Sequence, residues 1–428
     1  MGIKNFMSFF KKALPWFFWG MGSSFFAFQF ILRLLPGLVM NQVMSKFQVN
    51  AADYGLLSSM YYFGYAGAQL PVAFLLDRFG PRKVISLSAL LCSLGVFIFA
   101  YSHQWNLILG ARFLIGVGSA AGFLGAAKVV SQWFSSDQYG RMVGLTFTFG
   151  LFGAVYGGKP VATWIASEGW LSVFSGLGWL CLSVGILIAL FLKDSGPYSV
   201  QQTPPQFKDV QSILQNRKIV LLAFCNLLMV GPLEGFADVW GVTYFIKAYA
   251  LAKPDAAWMI SLIFMGMLVG GPLLAFIAEK LNKYFEVTAF CGFASAVIFA
   301  LILGVLNSYH PILLGGLMFT LGILCCYQVL VFAIGSRLTP SSLLSTTTAF
   351  LNSINMLGGS FFHGTIGLIL NFFWIGGETP GVQDYSMSQY RIAIAVIPTA
   401  CVLGGLGLLM IRLFLYTNDL SASKRESC

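Results

Sequence analysis

Charge is scarce in this chain. Only 9% of its 428 residues are Asp, Glu, Lys or Arg, while 57% are hydrophobic; an ordinary soluble domain carries about 25% charged residues. A chain so apolar cannot present a water-facing surface all round, which excludes a soluble globular protein and leaves lipid as its solvent. Histidine is limited to three residues. No His or Cys spacing matches a zinc or iron–sulfur ligand set, so no metal and no cofactor are expected. Seven of the eight cysteines, Cys92, Cys181, Cys225, Cys291, Cys325, Cys326 and Cys401, lie in apolar runs where a thiol packs as a small hydrophobe; Cys428 ends a polar tail. No Walker or other Gly-rich nucleotide loop is present, which argues against ATP-driven pumping. A membrane enzyme would need a nucleophile–base set or metal ligands at depth, and one histidine with two acids does not supply it. The chain is expected not to be an enzyme.

What the chain has in abundance is long apolar runs. A helix needs ~20 apolar residues to cross ~30 Å of hydrocarbon, and twelve runs meet that need: 15–40, 54–76, 84–103, 105–127, 142–165, 170–192, 219–246, 257–278, 287–307, 311–334, 344–374 and 392–414. The first follows Lys4, Lys11 and Lys12 but is too long for a signal peptide and has no small-residue cleavage site after it, so it is read as a retained helix. With the N-terminus in the cytoplasm, the opposite loops hold only Lys46, Lys247, Lys253 and Arg391, while most of the 25 Lys and Arg fall inside. The positive-inside rule then places both termini in the cytoplasm, expected to be that of a bacterium bounded by its inner membrane. The net charge of +10 is this bias, and no nucleic-acid partner is implied.

The polar stretch from Lys193 to Lys218 contains Asp194-Ser195-Gly196-Pro197 and Thr203-Pro204-Pro205, the composition of a linker. It divides the chain into a first bundle of six helices (1–193), a cytoplasmic linker (194–218) and a second bundle of six (219–428). An internal repeat supports the division. Ala73-Phe74-Leu75-Leu76-Asp77-Arg78, after the second run, returns 202 residues later as Ala275-Phe276-Ile277-Ala278-Glu279-Lys280, after the eighth. The expected fold is an all-α membrane protein of twelve transmembrane helices in two pseudo-symmetric six-helix bundles, the build of alternating-access transporters with solute held near the midplane.

The loop Asp77-Arg78-Phe79-Gly80-Pro81-Arg82-Lys83 resembles the signature of the major facilitator superfamily, with Ala73 where the family usually has Gly and Pro81 where a basic residue is common. A second stretch, Arg112-x-x-x-Gly116-x-Gly118-x-Ala120-Ala121 followed by Lys128, Trp133-Phe134 and Arg141, is similar to the helix 4–5 region of the anion:cation-symporter and organophosphate branches. The general look also resembles bacterial nutrient-uptake facilitators. The resemblance covers essentially the whole chain. It implies secondary transport, and it assigns Asp77, Arg78, Gly80 and Arg82, with Arg112 and the repeat pair Glu279 and Lys280, to conformational gating. The helix 5 glycines Gly150, Gly153, Gly157 and Gly158 lack the Gly-Pro pair of the antiporter signature, which argues against drug export.

Charges at bilayer depth are costly and face a cavity or a partner by default. They are Arg33, Arg112, Lys159, Glu234 and Asp238, with Lys128 at the inner border of helix 4 and His363 the one imidazole at depth. Arg33 lies three residues before Pro36, which bends its helix, and the repeat offset places it level with Glu234. In the organophosphate branch an arginine on helix 1 and another on helix 7 hold the anion. Arg33 resembles the first, but helix 7 carries acid instead. Glu234 and Asp238 are spaced i, i+4 on one helix face and resist joint ionisation, which makes them a candidate proton site. Arg33 and Glu234 are read either as a solute site or as a salt bridge, Arg112 as structural or solute-binding, Lys128 as a border residue or a functional one, and Lys159 as either. His363 is read as a satisfied core residue or a proton carrier. Asn352 and Asn355 are read as solute contacts or as polar glue between helices, and Trp240 and Tyr244 as cavity-lining.

The leading expectation is proton-coupled uptake of an amino acid or similar zwitterion, its carboxylate on the Arg33 fork and its ammonium on Glu234 and Asp238, with Lys159, Trp240 and Asn355 as further solute contacts and His363 as a further proton carrier. Sodium is the alternative coupling ion. An organic anion, such as a carboxylate siderophore or a sugar phosphate, is the alternative solute. A transporter-like membrane sensor is the alternative class. A monomer in the lipid bilayer, with a small-molecule solute as its partner, is expected.

Overall fold

The computed structural model describes residues 3–194, 207–306, 308–340, 343–374 and 385–426. Most of the linker, 195–206, and Cys428 lie outside the described residues. Among the described residues every regular element is a helix, as a lipid environment demands, because a helix satisfies its backbone internally. Among the described residues, ten helices are long and apolar enough to cross a membrane. The first is α1 (Ile3–Phe47). The stretch Ala51–Tyr101 breaks at Gly80, whose φ is 80°, into α2 (51–79) and α3 (81–101). After α4 (Trp105–Trp133), α5 (136–168) bends at Gly158 between Ser136–Gly157 and Lys159–Glu168. Then follow α6 (Trp170–Phe191), α7 (Arg217–Tyr249), α8 (Lys253–Leu281), α9 (Tyr284–Val305), α10 (Pro311–Arg337), α11 (Thr346–Phe372) and α12 (Met387–Phe414). Counting both sides of the Gly80 break and the bent α5, the helices match the twelve apolar runs. A short amphipathic helix, Phe207–Gln215, precedes α7, and Asn216 caps the start of α7 by accepting from the Lys218 and Ile219 amides.

The chain folds as two compact units, Met1–Phe47 with Met60–Pro204, and Gln48–Ser59 with Pro205–Cys428. In the first, α1 packs against α4, α5 and α6; in the second, α8 packs on α10, α9 on α12, and α7 on α11 and α12. The first turns of α2 cluster with the second unit. Small residues make this possible. A side chain on Gly55 would strike the His363 carbonyl and one on Gly367 the Ala51 carbonyl. Ser59 donates to the Ser360 carbonyl at 3.0 Å, and Ser360 donates back to the Ser59 carbonyl at 3.2 Å.

The repeat extends into packing. Gly64 on α2 and Gly266 on α8 are separated by the same 202 positions as the repeated loops. Any Cβ at Gly64 would overlap the Phe113 carbonyl on α4, and one at Gly266 the Phe319 carbonyl on α10. Without a hydrophobic drive between helices in lipid, such close backbone approach is how membrane helices gain contact. Gly64→Leu and Gly266→Leu should each destabilise the detergent-purified protein by about 1–3 kcal/mol through overpacking. Gly67→Leu and Gly271→Leu, at positions with open space around them, should leave thermal unfolding nearly unchanged.

Candidate functional site

In the first unit the charge at depth is a pair of arginines built around a proline. Pro36 lacks an N–H, so the Leu32 carbonyl, four residues earlier, loses its helical partner. Arg112 on α4 replaces it: Nη1 donates to the Leu32 carbonyl at 2.8 Å and Nη2 to the Arg33 carbonyl at 3.0 Å. The same guanidinium lies 4.8 Å over the Tyr61 ring, and the Tyr61 hydroxyl donates to Gln29 at 2.8 Å. Arg33, only 6% exposed, stands 5.6 Å from the Phe30 ring centroid and 5.5 Å from that of Tyr62. Both distances suit a cation on an aromatic face. Arg112 thereby bonds the backbone of α1 at two carbonyls. Gln29, Tyr61, Tyr62 and Tyr65 complete this polar and aromatic face. Their signal was spacing: Gln29 precedes Arg33 by four residues, as Tyr61 precedes Tyr65.

The Asp77 loop forms a second charged assembly in the same unit. Asp77 accepts from Lys128 Nζ at 2.7 Å, so Lys128 is an ion-pair partner for the loop rather than only a border residue. Arg78 stacks on its neighbour Phe79, 5.3 Å from the ring centroid. Arg82 sends Nε to the Ala189 carbonyl near the end of α6 at 2.7 Å, and its backbone N–H donates to Asp194 at 2.7 Å. The Asp194 carboxyl fills the place a Gly80 Cβ would need, 2.5 Å away. Burial raises the Asp194 carboxyl above its ordinary range, opposed by the Arg82 amide, the Arg82 guanidinium and Lys83. Asp194, read in the sequence only as linker, is thus part of this assembly.

In the second unit, Gly231-Pro232 opens a π-helix, Gly231–Trp240, inside α7. Every residue of it is buried, with Glu234 and Asp238 each 1% exposed. Wider π turns occur often at functional sites. Phe362 and Ile397 occupy the space beside Gly231, and Phe362 the space beside Gly235. Trp240 is fully buried and its Nε1 has no partner among the described residues. Asn226 Nδ2 donates to Asn355 Oδ1 at 3.1 Å, while Asn355 Nδ2 has no partner among the described residues. Tyr327 donates to the Asn226 carbonyl at 3.3 Å. Tyr244 is spent differently: its hydroxyl donates to the Ile302 carbonyl on α9 at 3.1 Å. His363 is fully buried in α11.

Lys159 is exposed at the start of the second segment of α5. Glu279 and Lys280 are exposed at the end of α8, with Lys280 Nζ 5.9 Å from the Phe276 ring centroid.

The carbonyl-bonding role of Arg112 is open to a direct check. Arg112→Leu leaves the Leu32 carbonyl unpaired and should cost about 1–3 kcal/mol. Pro36→Ala restores the missing N–H, so the same arginine substitution made in a Pro36→Ala background should cost measurably less in thermal unfolding. Equal costs in the two backgrounds would contradict the assignment.

Comparison with known proteins agrees with this architecture. The uncharacterized transporter YybO of Bacillus subtilis (strain 168) is 23% identical over 384 residues, covering 80% of this chain and 84% of that protein. The probable galactarate/D-glucarate transporter GudP of the same organism is 24% identical, covering 64% of this chain and 66% of that one. The probable sulfoacetate transporter SauU of Cupriavidus necator is 25% identical over 38% of each chain. Among solved structures, the nucleoside transporter NupG superposes with a TM-score of 0.72 at 11% identity, covering 91% of this chain and 99% of that one. A bacterial homologue of the lysosomal transporter Spinster, in an inward-facing and occupied conformation, gives 0.69 at 14% identity, covering 95% and 97%. Residues 15–363 match the Major Facilitator Superfamily as a whole, and the chain belongs to that family of membrane transporters.

Proposed function

We propose that this transporter carries small organic anions, chiefly hydroxylated carboxylates or sulfonated acids, across a bacterial inner membrane, with both termini in the cytoplasm. The observation that carries the reading is Arg33, a permanent cation at bilayer depth beside Phe30 and Tyr62. A planar guanidinium matches a carboxylate or sulfonate in two places. The printed names of the relatives add support, since galactarate, D-glucarate and sulfoacetate are all organic acids. In this reading Arg33 binds the acid group, with Gln29 and Tyr62 within reach of substrate hydroxyls on the same face. Asn355 and Trp240 offer unspent buried donors. Glu234 and Asp238 carry the coupling proton, with His363 as the reserve carrier, and the Asp77 loop gates the cycle.

The buried acids favour a second reading. Glu234 and Asp238 would suit the ammonium of a zwitterion, so amino-acid uptake stands as the alternative. Uptake of labelled D-glucarate, sulfoacetate and a set of amino acids into proteoliposomes separates the two. Organic-acid uptake without amino-acid uptake is the expected result; the reverse would replace the first reading with the second.

Arg33→Lys should impair uptake nearly as much as Arg33→Gln, by at least about tenfold, because a point charge does not replace a two-point fork. Wild-type uptake in Arg33→Lys would remove Arg33 from the binding role. Glu234→Gln and Asp238→Asn test the proton. At least one should abolish concentrative uptake driven by a pH gradient while sparing solute exchange, since a neutral amide cannot change protonation state. If both variants still concentrate solute, the coupling site is elsewhere or the ion is sodium.

A further inference from the structure

Two helix ends in the first unit cap one another. The Arg82 amide is among the first N–H groups of α3, which have no helical acceptor, and the Ala189 carbonyl is among the last of α6, which have no helical donor. Asp194, just past α6, accepts from the first, and the Arg82 side chain donates to the second. Each charge also matches the helix end it meets, carboxylate at an N-terminus and guanidinium at a C-terminus. Trp133 at the end of α4 adds a third tie, its Nε1 donating to the Lys193 carbonyl at 3.3 Å. The turn at Gly80 is shaped for this arrangement. Its φ of 80° is one that side-chain-bearing residues avoid, and the Asp194 carboxyl occupies the room its missing Cβ leaves.

We propose that Asp194 is a positioning residue that ties the end of α6 to the start of α3, so that it holds Arg82 and, through the turn at Gly80, the Asp77–Lys128 pair. Among the described residues, no other hydrogen bond reaches this turn from the segment just past α6. Asp194 touches no candidate solute group, and its effect falls on the conformational step rather than on binding. The inference rests on the transporter reading but not on the choice of solute.

Hydrogen–deuterium exchange on the full chain in nanodiscs tests the tie without any solute. In Asp194→Ala the amides at 82–85 should exchange about tenfold faster, and residues 77–81 with them. Asp194→Asn keeps an oxygen acceptor and should retain most of the protection. In Asp194→Ala/Asp77→Asn, exchange across 77–85 should match the faster single variant, because both act on one assembly; additive effects would mean two independent local contacts and overturn the proposal. Unchanged exchange at 77–81 in Asp194→Ala would overturn it as well. The second arm is D-glucarate counterflow. Asp194→Ala should lower the maximal rate several-fold with D-glucarate affinity unchanged, and Asp194→Asn should restore most of it. A wild-type rate in Asp194→Ala, or equal loss of rate and affinity, counts against the proposal. Absence of D-glucarate exchange in the wild type would instead count against that choice of solute, and the deuterium result still decides the tie.

Discussion

Inside a bilayer, a backbone carbonyl that loses its helical partner has no water to turn to. Much of this structure consists of answers to that constraint. Pro36 frees the Leu32 carbonyl, and Arg112 takes it up from a neighbouring helix. The end of α9 exposes the Ile302 and Leu306 carbonyls, and two tyrosines of α7, Tyr244 and Tyr249, donate to them. At the membrane border, Arg82 and Asp194 serve the ends of α6 and α3 in the same manner. Side chains that would look functional by charge or polarity alone are engaged in holding interrupted helices together.

That accounting separates residues which otherwise share one description. Arg33 and Arg112 are both buried arginines at depth, yet Arg112 spends two nitrogens on the backbone of α1, including the carbonyl of Arg33 itself. These bonds tie α4 to the backbone of α1 beside Arg33. Trp240 and Tyr244 lie four residues apart on α7. Tyr244 is tied to α9, while the fully buried Trp240 indole has no acceptor among the described residues. A buried donor without a partner costs stability, which makes Trp240 a sounder candidate for a solute contact than its neighbour.

The π-helix is the clearest place where local strain and charge coincide. Gly231-Pro232 interrupts the α pattern, and the wider turns that follow present Glu234 and Asp238 from a fully buried segment. Phe362 of α11 fits against Gly231 and Gly235, so the irregular backbone is enclosed by protein, the condition under which such backbone is tolerated at membrane depth. The first unit meets its interruption by other means, with an arginine bonding the carbonyl that Pro36 leaves without a helical donor.

The helices themselves were legible in the sequence, because lipid imposes one requirement on every span and apolar length alone meets it. The family was legible too, in the Asp77-to-Lys83 loop and its echo at Glu279 and Lys280. Sequence could also place Arg33, Glu234 and Asp238 at depth, since charge within an apolar run is conspicuous. It could not say what each charge touches. Lys128 and Asp77 are 51 positions apart and form an ion pair, Arg112 reaches a carbonyl 80 positions away, and Asp194 caps an amide 112 positions away. Lys159 follows the break in α5 at Gly158 and is exposed, a setting that its place in an apolar run does not reveal. The transfer of residues 48–59 to the second unit depends on glycines and serines whose partners lie on α11. Apolar length and motif are properties of a continuous segment and so can be read along the chain. Hydrogen-bond partners and close backbone approaches depend on which helices become neighbours, and only the tertiary structure decides that.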